Sequence, residues 1–199
     1  MKITILVEGR TEIAFKSHLT EFLKKRLEGR MPRLDMFPYH GRIPKHDDLR
    51  RKVEASLKSG SGAVIALTDV YTGTSDFADA TEAKSRMRQW VGPNSRFYPH
   101  AAQYDFEAWL LPFWTDIQRL AGHNRNAPPG PPEQVNHIRP PSDHIREVFR
   151  IGTCRDDYSK PRDGRRILQG NDLAVAAAAC PELKSFLNTI LSLCGGTCL

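Results

Sequence analysis

Lys2-Ile3-Thr4-Ile5-Leu6-Val7-Glu8-Gly9-Arg10-Thr11-Glu12 is the stretch on which the reading of the fold turns. Its first six residues form a short, mostly apolar, β-branched run, the pattern of a central strand buried on both faces. The run stops abruptly on a carboxylate and a glycine. Thr11 then reads as the cap of a helix, because Phe15, Leu19, Phe22, Leu23 and Leu27 follow at helical spacing and Gly29 supplies a stop. A buried strand, an acidic turn and an amphipathic helix, in that order, begin a parallel βα unit.

The alternation continues outward from there. Leu34 to Tyr39 reads as a second strand, and Asp47 to Leu57 as a helix striped by Leu49, Val53 and Leu57. Ala63-Val64-Ile65-Ala66-Leu67 is the most strand-like segment and runs straight into Thr68-Asp69. A helix carrying Ala80, Ala83, Met87, Trp90 and Val91 follows, then a fourth strand from Phe97 to Gln103, in which Pro99 points to an edge position or a bulge. Phe106, Trp109, Leu110, Phe113, Ile117 and Leu120 make a further helical stripe, interrupted by Pro112. This pattern predicts an α/β fold: a mainly parallel four-stranded sheet with helices on both faces and a C-terminal helical appendage. Six prolines between Asn126 and Pro141 mark a surface excursion. A short helix (Ser142 to Arg150), a basic loop from Lys160 to Arg166, and two alanine- or leucine-rich helices complete the chain. The expected division is an α/β core over 1–125, with the Pro-rich excursion and C-terminal helices of 126–199 packed on it.

At 199 residues, 40% hydrophobic and 26% charged, the composition is that of a globular domain able to bury a real core. No apolar stretch approaches the roughly 18 residues of a membrane span, so no membrane partner is expected. The N-terminus does not read as a signal peptide. Cys154, Cys180, Cys194 and Cys198 show no CxxC spacing, and the expectation is free thiols in a reducing cytoplasm. A formal charge of +6 with a pI near 9.3 favours acidic partners, nucleic acid above all, although charge alone does not identify one.

In open parallel sheets, ligands bind beyond the carboxyl ends of the strands. Glu8 follows the first strand, Asp69 the third, and Asp105 with Glu107 the fourth. Glu12 lies one turn beyond Glu8, where it either looks back toward the same edge or simply favours the helix dipole. Asp69 also reads as a turn cap, and Asp105 as the N-cap of the next helix with Glu107 in its first turn. Taken together at strand ends, these carboxylates repel one another by several kcal/mol, on the order expected at short range, unless a cation or protons compensate. Hard oxygen donors of this kind suit Mg²⁺ or Mn²⁺.

Three segments resemble a known family. Val7-Glu8-Gly9-Arg10-Thr11-Glu12 is similar to the opening motif of Toprim domains, especially those of OLD-type nucleases. Leu67-Thr68-Asp69-Val70-Tyr71 resembles the aspartate motif after a later Toprim strand. Tyr104-Asp105-Phe106-Glu107-Ala108-Trp109-Leu110-Leu111 looks like the Phe-Glu-Ala segment of domain-of-unknown-function family 4276, in which Lys160, Asp163 and Gly164 fall in a later basic motif. The resemblance implies a Toprim-like fold, Mg²⁺ dependence, phosphodiester chemistry and a place in prokaryotic defence modules beside an ATPase. It makes Glu8 an acid/base or metal ligand and the aspartates metal holders. The usual Asp-x-Asp is Asp69-Val70-Tyr71 here, so Glu12, Asp105 or Glu107 has to stand in for the missing carboxylate.

Phosphoryl-transfer logic fits the remaining residues. Two metals about 3.5–4 Å apart activate water and stabilise the leaving oxygen, and a cation such as Lys160 neutralises charge in the transition state. Arg10, Arg42, Lys45, Arg162, Arg165 and Arg166 are the candidates to grip phosphates of DNA or RNA, by backbone or shape rather than base sequence. His40 and His100, near strand ends, are weaker candidates. The expected function is a Mg²⁺- or Mn²⁺-dependent nuclease or nuclease-like effector subunit. The alternatives are an impaired Toprim-like binding module and another metal-dependent phosphotransfer enzyme. There is no GxxxxGK[ST] to cradle a triphosphate, so a separate ATPase subunit or a homo-oligomer is expected, with the apolar face of Leu183, Phe186, Leu187, Ile190 and Leu191 as a docking surface if any of it stays exposed.

Overall fold

A computed structural model describes every residue except 30, 71–75, 136–138 and 154–155, so Tyr71 and Cys154 lie outside the described residues. The Lys2–Val7 run forms strand β1, joined by β2 (Arg33–Pro38), β3 (Ala63–Asp69) and β4 (Phe97–Ala102). All pairings are parallel and the order is β2-β1-β3-β4. The chain therefore leaves β1 for β2 on one side and returns to β3 on the other. The β1/β3 junction is the point where the strand order reverses, and ligands of open α/β sheets collect there.

Why β1 is apolar on both faces follows from its cover. Ile3, Ile5 and Val7 point into one cluster with Ile65, Leu67 and the residues of helix α1 (Arg10–Lys24). Leu6, Val64 and Ala66 point the opposite way, into a second cluster with Leu49 and Val53 of α2 (His46–Lys58) and Met87 and Val91 of α3 (Ala80–Val91). Thr4, the polar residue of the run, is buried on that second side and shares a 2.7 Å hydrogen bond with Ser61. β4 is an edge strand, which is why Pro99 is tolerated without a bulge: it pairs opposite Ala66 on one side only.

Several local expectations are corrected. The cap of α1 is Gly9, not Thr11, and Gly9 N–H donates to the Glu12 carboxylate at 3.0 Å. Pro112 sits within a 3₁₀ segment, Phe106–Phe113, that hands over to α4 (Trp114–Ala121). Pro112 stands next to last in that segment, where the i→i+4 ladder an α-helix interior would lose to a proline is not in force. Beyond α5 (Pro141–Ile151), the expected basic loop is a helix, α6 (Lys160–Leu168), with Pro161 in its first turn, where a missing N–H costs nothing.

Helices α7 (Leu173–Ala179) and α8 (Pro181–Leu193) close the first core cluster. Leu183, Phe186, Leu187, Ile190 and Leu191 are wholly buried, so α8 offers no apolar docking face. Its start is held by Glu133, from the Pro-rich excursion. One Glu133 oxygen accepts from the Trp109 indole N–H at 3.0 Å, and the carboxylate also takes the N–H groups of Glu182 and Leu183. These are donors that a helix N-terminus otherwise leaves unsatisfied. Replacing Glu133 with alanine strands three donors in the interior and should cost about 2–4 kcal/mol. Urea unfolding should show Glu133→Gln, which keeps one acceptor oxygen, losing clearly less. Equal losses for the two variants would mean that packing, not capping, holds this corner.

Candidate metal centre

Glu8 leaves β1 where β3 runs alongside, since Val7 pairs with Leu67. Its backbone carbonyl accepts from Gly41 N–H at 2.9 Å, tying it to the turn after β2. Its Oε1 accepts from the Thr68 hydroxyl and, at 3.2 Å, from Asp69 N–H. The side chain is thus fixed across the β1/β3 junction from both neighbours. Glu12, one turn into α1, is buried and bent back to Gly9, which aims it at the same edge.

The other two carboxylates arrive from β4. Tyr104 takes a left-handed backbone, φ +70°, and the chain reverses there to set Asp105 at the head of the 3₁₀ segment. Asp105 does not cap that segment with its side chain. Its Oδ2 accepts instead from Ser142 N–H at 3.1 Å, at the start of α5, while its Oδ1 is buried with no partner among the described residues. Glu107 has no exposed surface. Its Oε1 accepts from the Tyr158 hydroxyl at 3.2 Å and its Oε2 from Lys160 Nζ at 2.8 Å. Lys160 Nζ also lies 4.0 Å from Asp105 Oδ2. The first residue of α6 thus brings a positive charge into the acidic cluster.

The proton affinities of these groups depend on one another. Burial, more than any other cause, pushes Glu8 and Glu107 up to about 7; Glu12 adds to the rise at Glu8, and Asp105 to that at Glu107. Burial likewise raises Glu12 and Asp105. Asp69 is held well above the usual carboxylate range by burial and then by the charges of Glu8, Glu12, Asp105 and Glu107. Lys160 is pushed up by Glu107 and Asp105, which outweigh the opposing effect of its burial. Five carboxylates from four segments and one lysine therefore feel one another at the C-terminal edge of the sheet. Among the described residues, however, no three His, Cys, Asp or Glu side chains are already drawn together around one cation position.

The basic candidates divide. Arg42 reaches Asp76 at 2.8 Å and its charge is felt by Glu8, so it stands at the rim of the cluster. Lys45 meets the same Asp76 at 3.0 Å. Arg10 is exposed at the first turn of α1. Arg162 and Arg166 converge on Asp163, which is wholly buried and also accepts from Ser159 N–H at 2.8 Å. By pinning the residue before Lys160, Asp163 sets where the lysine leaves its helix. Arg165 is exposed on the same helix. His100 is not at the cleft: its Nε2 is bonded to Thr189 Oγ1 of α8 and its ring stands edge-on to Phe186. His40 is an exposed turn residue. Tyr158 and Asp76 went unnoticed in sequence, and Thr68 and Asp163, though they fall in the quoted motifs, were given no role, because each acts through a partner that only the folded chain brings near.

With this geometry in view, the comparisons with known proteins are informative. A family model described as "Domain of unknown function (DUF4276)" matches residues 7–191. The chain belongs to that family. The α/β fold of this DUF4276 chain is similar to the C-terminal region of the Burkholderia pseudomallei OLD protein, with a TM-score of 0.56 at 12% identity, covering 96% of this chain and 98% of that one. A looser likeness, TM-score 0.49 at 15% identity over 97% and 95% of the two chains, is to the C-terminal region of the Xanthomonas campestris pv. campestris OLD protein. No curated protein matches the chain in sequence. The expected α/β architecture, a parallel four-stranded sheet with helices and a C-terminal helical part, is borne out, and the chain shares its fold with the OLD C-terminal region.

The raised carboxylates make a prediction about stability. The folded protein keeps protons that the unfolded chain has released, so each such group favours the fold at low pH and loses that contribution as pH rises from about 4.5 through about 7. His100, pushed down to about 3 by burial and by Lys84 and Arg88, contributes in the opposite sense below pH 6.5. A comparison of metal-free proteins at each pH isolates the cluster. Glu8→Gln should gain on the wild type in melting temperature as pH rises from 4.5 to 7.5. A difference that is flat or shrinks over that window would show that Glu8 is not a strained carboxylate.

Proposed function

We propose that this chain is a divalent-metal-dependent nuclease, or the nuclease-like effector subunit of a larger assembly, hydrolysing phosphodiester bonds of DNA or RNA. The observation that carries the reading is the gathering of Glu8, Glu12, Asp69, Asp105 and Glu107 at one sheet edge, each with raised proton affinity. Carboxylates in that state accept a cation readily, because it replaces protons and removes their mutual repulsion. The residues fit such an ion. All the donors are hard oxygens suited to Mg²⁺ or Mn²⁺, and the unpartnered Asp105 Oδ1 is a buried acceptor that a cation or its water would satisfy. When bound, the metal would supply an activated water and charge stabilisation at the phosphoryl oxygens.

The chain's own residues do the rest in this reading. Thr68 and Asp69 N–H hold Glu8 in one orientation, so it is positioned as acid/base or ligand without having to reorganise. Lys160, steadied on Glu107 and close to Asp105, places a fixed positive charge beside the carboxylates, where charge on a phosphoryl group would develop. Arg42 and Lys45, gathered on Asp76, and Arg10 give the rim the cations that grip a phosphate backbone. The fold likeness to the OLD C-terminal region and the motif resemblance to OLD-type nucleases both support phosphodiester chemistry. A separate ATPase subunit or a second copy of the chain belongs to the same proposal, docked elsewhere than on α8.

A second reading, a catalytically impaired binding module, is favoured by one observation. No three ligand side chains are drawn together around a cation among the described residues, and Lys160 already occupies Glu107. The two readings separate in a cleavage assay with Mg²⁺ or Mn²⁺ on plasmid, single-stranded DNA and RNA, alone and beside the neighbouring gene product. The nuclease reading expects cutting, better with Mn²⁺ because Mg²⁺ demands a stricter octahedron, and a loss of at least about 100-fold in Glu8→Gln. Nucleic-acid binding without any cutting would transfer the case to the binding module.

A further inference from the structure

Helices α1 and α6 pack against each other, and an open groove of about 640 Å³ lies between their outer faces. It is lined on one side by Ser17, His18 and Glu21, and on the other by Arg162, Arg165 and Arg166. At about 100° per residue, these positions lie nearly opposite Glu12 on α1 and Lys160 on α6. The groove is therefore separate from the carboxylate cluster, set off by on the order of 10 Å, the thickness of a helix.

The groove's chemistry is that of an anion site. Arg162 and Arg166 are braced on the buried Asp163, which orders their guanidinium groups along the lip. Arg165 makes no ion pair among the described residues. The opposing acid, Glu21, is turned to Lys25 at 3.3 Å on the exposed side of α1. Burial pushes the His18 imidazole below its ordinary value, with the backbone of Arg165 opposing it, and its Nε2 is buried with no partner among the described residues. Arg162 and Arg166 are thus committed to Asp163 and Glu21 to Lys25, so Arg165 lines the groove without a carboxylate partner among the described residues, beside an imidazole nitrogen without one.

We propose that this groove is a flanking-phosphate subsite, in which Arg165 and Arg166, joined by His18 as its imidazole takes up a proton on anion binding and donates from Nε2–H, hold a backbone phosphate of the nucleic acid outside the bond to be cut. The inference rests on the proposed nuclease reading and adds to it a path for the strand: past the carboxylates and round the α1–α6 pair. Separation from the centre makes the groove's phosphate belong to a neighbouring nucleotide, so only substrates several nucleotides long engage it. Phosphate contacts at arginine give affinity that falls with salt and is indifferent to base sequence.

Arg165→Ala and His18→Gln test this, since neither residue touches the carboxylates or braces Asp163. Binding of a fluorescent 20-nucleotide strand in Ca²⁺ is followed across a salt series, and Mn²⁺-dependent hydrolysis of bis(p-nitrophenyl) phosphate is measured in parallel. The subsite predicts several-fold weaker binding in each variant, a salt slope reduced by about 1 for Arg165→Ala, and unchanged hydrolysis of the small diester. Wild-type affinity and slope in both variants would overturn it, as would a wild type that binds no nucleic acid. Parallel loss of small-diester hydrolysis would also overturn it, by showing that the residues act on the centre. If the variants lose binding while the wild type hydrolyses nothing, the subsite stands and the nuclease reading falls.

Discussion

Everything at the sheet edge depends on one constraint: carboxylates from four chain segments are held in partly dry surroundings with a single lysine among them. Two like charges 4 Å apart repel by about 4 kcal/mol at an effective dielectric of 20, so the fully ionised set is untenable without compensation. The fold meets the problem with hydrogen bonds to particular oxygens. Thr68 and Asp69 N–H serve Glu8, Gly9 N–H serves Glu12, Ser142 N–H serves Asp105, and Tyr158 with Lys160 serves Glu107. Even so, the proton affinities of all five remain raised. In the proposed reading, that residual repulsion is what a bound cation relieves.

The surrounding architecture can be understood as what keeps this strained edge in place. Strand order β2-β1-β3-β4 puts Glu8 and Asp69 side by side at the reversal point, and two apolar layers lock β1 and β3 in register. The C-terminal helices are not an ornament on that sheet. Asp163 pins Ser159 and so aims Lys160, α5 offers Ser142 to Asp105, and Glu133 anchors α8 over the same apolar layer. Residues as far apart in sequence as Glu12 and Lys160 meet at this one edge.

How much of this was legible in the sequence follows from range. The βα alternation and the buried character of β1 rest on local pattern, while Pro99 left β4 either an edge strand or a bulged one until the strand order made it an edge. Glu8, Glu12, Asp69, Asp105 and Glu107 could be picked out because strand ends are where parallel sheets bind ligands. Helix α6 read as a loop because Pro161 and Gly164 interrupt it. Both are compatible with a helix here: the proline lies in the first turn, and the glycine packs on Leu110 and Thr11. The roles of Thr68, Tyr158, Asp76 and Glu133 depend on contacts across the folded chain, and no spacing rule announces them. The apolar stripe of α8 was visible, but whether it faced solvent or the core was settled only by what packs on it.

The central claim, that these carboxylates form a divalent-metal site, is tested most directly by Mn²⁺ titration of the wild type and Asp69→Asn at pH 7.5, followed by calorimetry and thermal unfolding. The account predicts saturable binding to the wild type with release of protons, and a rise in melting temperature that grows with Mn²⁺ concentration. Asp69→Asn should lose most of that gain while its metal-free fold is kept. Equal binding and equal stabilisation of the two proteins would contradict it.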